Sequence, residues 1–161
     1  MNLTRAICQL HEAETKLAAA LRDAGSRHGP DLQAESARMA RQADGRAAAV
    51  AAWATRCKGQ AWEVDGVERS EPLLTALRWR RRAADRRGPV MGSALLQEVR
   101  RLHRLAEECQ IHWARVGCGA RRADAVQLLD LVAIGHQDLA RTIRGLASLA
   151  ETARPQAALA T

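Results

Sequence analysis

Phenylalanine and tyrosine are absent from this chain of 161 residues, and tryptophan occurs only four times. Strands draw heavily on aromatic and β-branched side chains, so this shortage argues against a sheet protein. The lack of tyrosine also excludes tyrosyl-radical chemistry. Lysine is nearly missing as well, with Lys16 and Lys58 alone, so the net charge of +7 comes almost entirely from arginine. The four cysteines, Cys8, Cys57, Cys109 and Cys118, include no C-x-x-C pair, which removes the redox and zinc motifs built on that spacing. A chain this long can bury a full core without disulfides. Cys57 and Cys109 fall on apolar stripes and read as small buried hydrophobes. Cys118, in "VGCGA", reads as a loop thiol and the most exposed of the four. No charge-free run is long enough to span a bilayer, and the charges in "MNLTRAICQLHEAE" come too early for a signal peptide, so a soluble, cytoplasmic protein is expected. No nucleophile elbow, phosphate loop or pair of catalytic carboxylates is found, so an enzyme is the less expected reading.

What remains is rich in strong helix formers, chiefly Ala, Leu, Arg and Glu, and the expected class is all-α. Heavy use of Ala and Arg also follows from a GC-rich genome. Four long helices can be placed by apolar periodicity. The first runs from about Leu3 to Ala24 and stops at Gly25, with the stripe Leu3, Ile7, Leu10, Glu14, Leu17, Leu21. The second starts at Pro30–Asp31 and reaches about Lys58, with Leu32, Ser36, Met39, Ala43, Arg46, Val50, Trp53 and Cys57 on one face. The third begins after "GPVMGS" with Ser93 as N-cap, carries Leu95, Val99, Leu102, Ala106, Cys109, Trp113 and Val116, and ends at Gly117, so that "GCGA" is a helix-to-helix turn. The fourth runs from about Arg122 to Thr152, with Leu129, Val132, His136, Leu139, Ile143 and Leu146 inward, and Pro155 stops it.

One stripe per helix is what a four-helix bundle needs. Short loops join the first two helices and the last two, making two antiparallel hairpins. Residues 60–92 lie between them and hold a short helix from about Glu71 to Arg86. The second helix spans roughly 40 Å at about 1.5 Å per residue, and this connection is long enough to run back along it. The expected architecture is therefore an up-down-down-up bundle with one long crossover, residues 1–154 forming one domain and 155–161 a tail.

The stretches "LHEAETKLAAALRDAGSRH", "ARMARQADGRAAAV" and "ETARPQAALAT" resemble a group of small, uncharacterised bacterial ferritin-like proteins. The resemblance implies a ferritin-like bundle and little about activity. That group tends to carry a tryptophan and a histidine in the second helix where this chain has Gln42 and Arg46. The wider superfamily holds two metal ions with one Glu on each of two helices and Glu-x-x-His on the other two. Here Glu35 is followed by Arg38, and His136 is preceded by Ala133 at that spacing. Both Glu-x-x-His motifs are absent.

Glu14 sits in the middle of an apolar stripe, and so does Arg46. Counted back from the hairpin turn, Glu14 is level with about Gln42 and one helical turn from Arg46, roughly 6 Å along the axis. A lone buried carboxylate needs a partner. The preferred reading is a core polar cluster of Glu14, Arg46, Gln42 and His136, in which a buried ion pair replaces a degenerate metal site and no cofactor is bound. The alternative makes the protein an iron or other transition-metal binder, or an oxidase, through His11, Glu14, His103, Glu107 and His136. Against it, Arg46 brings positive charge to the place a cation would take. A third reading rests on "LRWRRRAADRRGP": Arg78, Arg80, Arg81, Arg82, Arg86 and Arg87 could grip an anion or nucleic acid, with Trp79 stacking on a base. Charged runs usually form a solvated face, and no nucleic-acid motif surrounds this one. The preferred function is a non-catalytic interaction or scaffold protein whose partner is another protein or a second copy of itself, with Trp62 or Trp79 at the interface.

Overall fold

In a computed structural model, residues 3–28, 30–56 and 94–158 are described. They form four helices and no strand: α1 (Leu3–Arg27), α2 (Pro30–Arg56), α3 (Ala94–Arg122) and α4 (Val126–Ala158). The anticipated stripe of α1 is the buried one throughout, Leu3 to Leu21, with Glu14 included. On α2 the stripe from Leu32 to Trp53 is likewise buried, with Ser36 and Arg46 among its members. Apolar residues repeating at steps of three and four leave a continuous face that only another helix can cover, which is why these rods pack rather than stand alone.

α1 lies against α2 and α3, and α4 lies against the same two helices from the opposite corner. The register follows from individual contacts. Leu3 adjoins Gly119, Trp113 reaches Glu14, and Arg27 lies 3.5 Å from Glu98, so α1 and α3 run in opposite directions. Gly117 approaches Val132, and Gly135 lies against Trp113, which makes α3 and α4 an antiparallel hairpin. Arg22 pairs with Asp44 at 2.5 Å across the first hairpin. Gly145 of α4 approaches Glu35 and Met39 of α2. No helix among the described residues is long and apolar enough to cross a membrane.

Expected boundaries on three helices are corrected, and α4 starts at Val126 and not near Arg122. α1 does not stop at Gly25 but continues to Arg27. A Cβ on Gly25 would run into the Ser36 hydroxyl, so this glycine lets α2 approach instead of ending the helix. α3 likewise continues through "GCG" to Arg122; a Cβ on Gly119 would come within 2.7 Å of Leu3 Cδ1, so the residue serves close packing on α1. The true turn is "ADA" at 123–125, where Asp124 adopts φ 51°. Ala125 N donates to Ala120 O at 3.0 Å and Asp124 N to Arg121 O at 3.4 Å, a Schellman-type ending with an aspartate where glycine is usual. Finally, α4 runs past Pro155 to Ala158.

The inward face of α4 is turned by about one residue from the anticipated stripe. Val132, Leu139 and Leu146 are buried as expected, but Leu128, Gly135 and Thr142 are buried with them, while Leu129, His136 and Ile143 are half-buried. The cause is steric: the large Trp113 ring needs the smallest available residue opposite it, and Gly135 provides that. The anticipated limits at Lys58 and Ser93, and the whole 60–92 crossover with its short helix, lie outside the described residues.

Candidate functional site

The centre of the bundle holds a charged pair. Glu14 is 0 % exposed and Arg46 is 5 % exposed. Arg46 Nε donates to Glu14 Oε1 at 2.9 Å, and Arg46 Nη2 donates to Oε2 at 2.9 Å. This is the two-pronged guanidinium–carboxylate arrangement, stronger and more directional than a single contact. Trp113 Nε1 donates a third hydrogen bond to Glu14 Oε1 at 2.6 Å. A buried indole N–H needs an acceptor, and the carboxylate provides it. Three helices therefore meet at one carboxylate: α1 carries the anion, α2 the cation and α3 the neutral donor.

Trp113 was legible as a core residue but not as a partner of Glu14. Its height relative to α1 depends on how the two hairpins dock, and no spacing within one helix encodes that. The other anticipated members of the cluster are placed less directly. Gln42 lies one turn before Arg46 on α2, and its Oε1 is buried without a hydrogen-bond partner, as is Arg46 Nη1. His136 does not reach the carboxylate; its ring lies beside Trp113, with centroids 6.5 Å apart and planes tilted by 51°.

The residues of the metal-binding alternative are not gathered. Among the described residues, no group of three or more His, Cys, Asp or Glu side chains is arranged to hold a metal ion. Both oxygens of Glu14 already accept hydrogen bonds from Arg46, so the guanidinium occupies the position a cation would need. His103 instead pairs within its own helix, Nδ1 to Glu107 Oε1 at 3.6 Å, and both side chains are partly exposed. His11 is half-buried on the flank of α1. Arg78, Arg80, Arg81, Arg82, Arg86 and Arg87, together with Trp62, Trp79 and Cys57, lie outside the described residues.

Cys109 is buried as expected. Desolvation first, and then the nearby Glu14 carboxylate, push its thiol far above the ordinary range, so it stays protonated and inert. Cys118 is corrected: it lies within α3, half-buried, and Cys8 is the more exposed thiol. A second nearly buried carboxylate, Glu98, escaped notice in the sequence. It accepts from Arg101 Nη2 at 2.7 Å, with Arg27 at 3.5 Å. The hydrogen bond from Arg101, opposed by burial, holds its carboxyl below the usual carboxylate range. Its neighbours are i+3 on α3 and across the seam on α1, a mixture that sequence spacing only half reveals.

Burial also lowers the pKa of His136 from its ordinary 6.5. The folded protein then resists a proton that the unfolded chain accepts. This contribution to stability is complete above about pH 6.5 and is lost as the pH falls through the lowered value. His136→Gln is expected to flatten part of that decline, measured as urea midpoints between about pH 7 and about pH 5. His112, lowered mainly by burial too, acts with the same sign and accounts for slope that remains. An unaltered pH profile in the variant would show that His136 titrates alike in both states.

No family model, curated protein or solved structure matches the chain.

Proposed function

We propose that this protein is a non-catalytic, ferritin-like helical bundle acting as an interaction or scaffold protein in the cytoplasm. In this reading the Glu14–Arg46 ion pair occupies the position where related bundles hold metal, and the site is degenerate. The observation that carries it is the two-pronged contact of Arg46 with both Glu14 oxygens, completed by Trp113. A carboxylate so engaged has three of its about four lone-pair sites taken, and the guanidinium charge repels a cation from the same space. Support for the up-down-down-up path comes from the opposed directions of α1 and α3. With that register, α2 ends at one end of the bundle and α3 begins at the other, the separation that a crossover through residues 60–92 has to span in this reading. The partner surfaces in this reading are the crossover sequence and the tail, and the partner is another protein or a second copy of the chain.

The test is elemental analysis of full-length protein purified without a His-tag. No transition metal is expected at stoichiometric level, before or after incubation with ferrous iron, manganese or zinc. Stoichiometric iron, lost in Glu14→Gln, would refute the proposal in favour of an iron-binding bundle.

A further inference from the structure

α3 is enclosed more completely than its neighbours explain. From residue 105 to residue 120 no residue of this helix is exposed, whereas α1, α2 and α4 expose a residue at every turn. Among the described elements, α3 packs on α1 and α4. A helix held by two neighbours keeps an outward side, and that side ordinarily meets water. At about 100° per residue, Gly117 and Gly119 stand about 80° to either side of the core residue Cys109, and Ile111 stands about 160° from it. Gly117 approaches Val132 of α4, and Gly119 approaches Leu3 of α1. Ile111 therefore lies on the side that neither helix reaches, yet it is 8 % exposed, against 58 % for Ile134 on α4. The neighbours it has on its own helix, Glu107, Glu108, Ala114 and Arg115, are half-buried themselves, so the cover comes from farther out.

Chain length decides which part of the molecule can supply it. Outside the described residues lie 1–2, 29, 57–93 and 159–161. Leu3 adjoins Gly119, and Ile111 is about 12 Å from that height along the axis; residues 1–2 reach about 7 Å. Residues 159–161 reach about 10 Å from Ala158, which lies about 30 Å along the bundle from the height of Ile111. Residue 29 closes the turn between α1 and α2. Residues 57–93 are long enough, and their ends are in the right places. The Glu14–Arg46 contact sets the register of α1 and α2, so Arg56 comes level with about Thr4 and hence with the C-terminal part of α3. The segment leaves the bundle there and rejoins it at Ala94, about 40 Å back along the axis, passing the height of Ile111 on the way. Its composition matches the face. Leu73, Leu74 and Leu77 provide apolar cover, and its acids and arginines suit a rim of Glu107, Glu108 and Arg115.

We infer that the outward face of α3, centred on Ile111, is the docking surface for this chain's own segment 57–93. That face is then closed to any outside partner, and a protein arriving from that side meets the segment instead of α3. The inference rests on the chain path given under the proposed function and not on the degenerate metal site. Elemental analysis tests the site and the experiment below tests the path, so the two fail separately.

The experiment is NMR of the full chain with its isoleucine methyl groups labelled. Isoleucine occurs only as Ile7, Ile111, Ile134 and Ile143, and Ile111→Val identifies the Ile111 signal by its loss. Nuclear Overhauser contacts from this methyl to side chains within residues 57–93 of the same chain are expected. Contacts confined to α3, or reaching the tail instead, overturn the inference. So do contacts seen only between labelled and unlabelled chains in a mixed sample, which would put a second copy on the face. A second readout uses trypsin. Ile111→Glu sets a charge beneath the segment and is expected to speed cleavage after the arginines from Arg78 to Arg87 at least about tenfold, with the far-UV helical signal largely kept. Cleavage at the parent's rate would overturn the inference. If Ile111→Glu does not fold, the methyl contacts of the parent chain decide alone.

Discussion

Replacing Arg46 with alanine is expected to destabilise the protein by about 3–5 kcal/mol, read as a fall in the urea midpoint in metal-free buffer. The reason is the state in which the change leaves Glu14. Its carboxylate is fully buried and would keep only the Trp113 donor, so it must either stay charged in a medium of low dielectric or take up a proton on folding. Both options cost free energy that the parent does not spend. Removing both charges together is a different matter. The double variant Glu14→Leu/Arg46→Met replaces the pair with apolar groups, which commonly restores stability. It is expected to recover most of the loss and to remain about 1–3 kcal/mol short, because the Trp113 N–H then has no acceptor. If Arg46→Ala unfolds at the parent's midpoint, the buried pair is not what the geometry indicates. A double variant as weak as the single one would mean that the core depends on the charges themselves.

The second large effect belongs to Trp113. This side chain is 0 % exposed, and Trp113→Ala is expected to cost about 3–5 kcal/mol by opening a cavity at the centre of the bundle. Trp113→Phe removes the hydrogen bond together with only part of the ring volume. It keeps a ring but loses the hydrogen bond to Glu14, a charge-assisted contact whose removal should cost about 1.5–3 kcal/mol. The other face of the ring is set by Gly135: a Cβ there would lie 2.5 Å from both Cη2 and Cζ2 of the indole. Gly135→Ala should therefore destabilise by about 1–3 kcal/mol through overpacking. In the Trp113→Phe background the same change meets a smaller ring, and its cost should drop. A double-mutant cycle on these two positions measures the coupling directly. Strict additivity would show that Gly135 is small for some reason other than the tryptophan.

Much of the architecture was legible because helix faces are written in single-chain periodicity. The stripes of α1 and α2 needed no tertiary information, and the partnership of Glu14 with Arg46 followed from counting equal distances back from one short turn. Glycine was the main source of error. Gly25 and Gly119 carry the same residue type that ends helices, yet each is placed where another element comes too close for a side chain, and only the docked neighbours, Ser36 and Leu3, distinguish the two uses. Asp124 reversed the mistake, ending α3 in a left-handed conformation that sequence rules assign first to glycine. On α4, the buried residues Gly135 and Thr142 carry little apolar signal, so the half-buried Leu129, His136 and Ile143 drew the expected stripe one position away from the true core.

By itself, the order of residues determined that this chain is helical, that four amphipathic rods bury one face each, and that an acidic and a basic group within the first hairpin would meet inside. These depend on interactions local in sequence or closed by a short turn. Only the tertiary structure decided that Trp113 completes the pair and that His136 packs on the tryptophan instead of joining the carboxylate. Those outcomes depend on the relative height and rotation of helices packed against one another. That docking is chosen by the fit of side-chain volumes over the whole interface, and no repeat within a single helix records it.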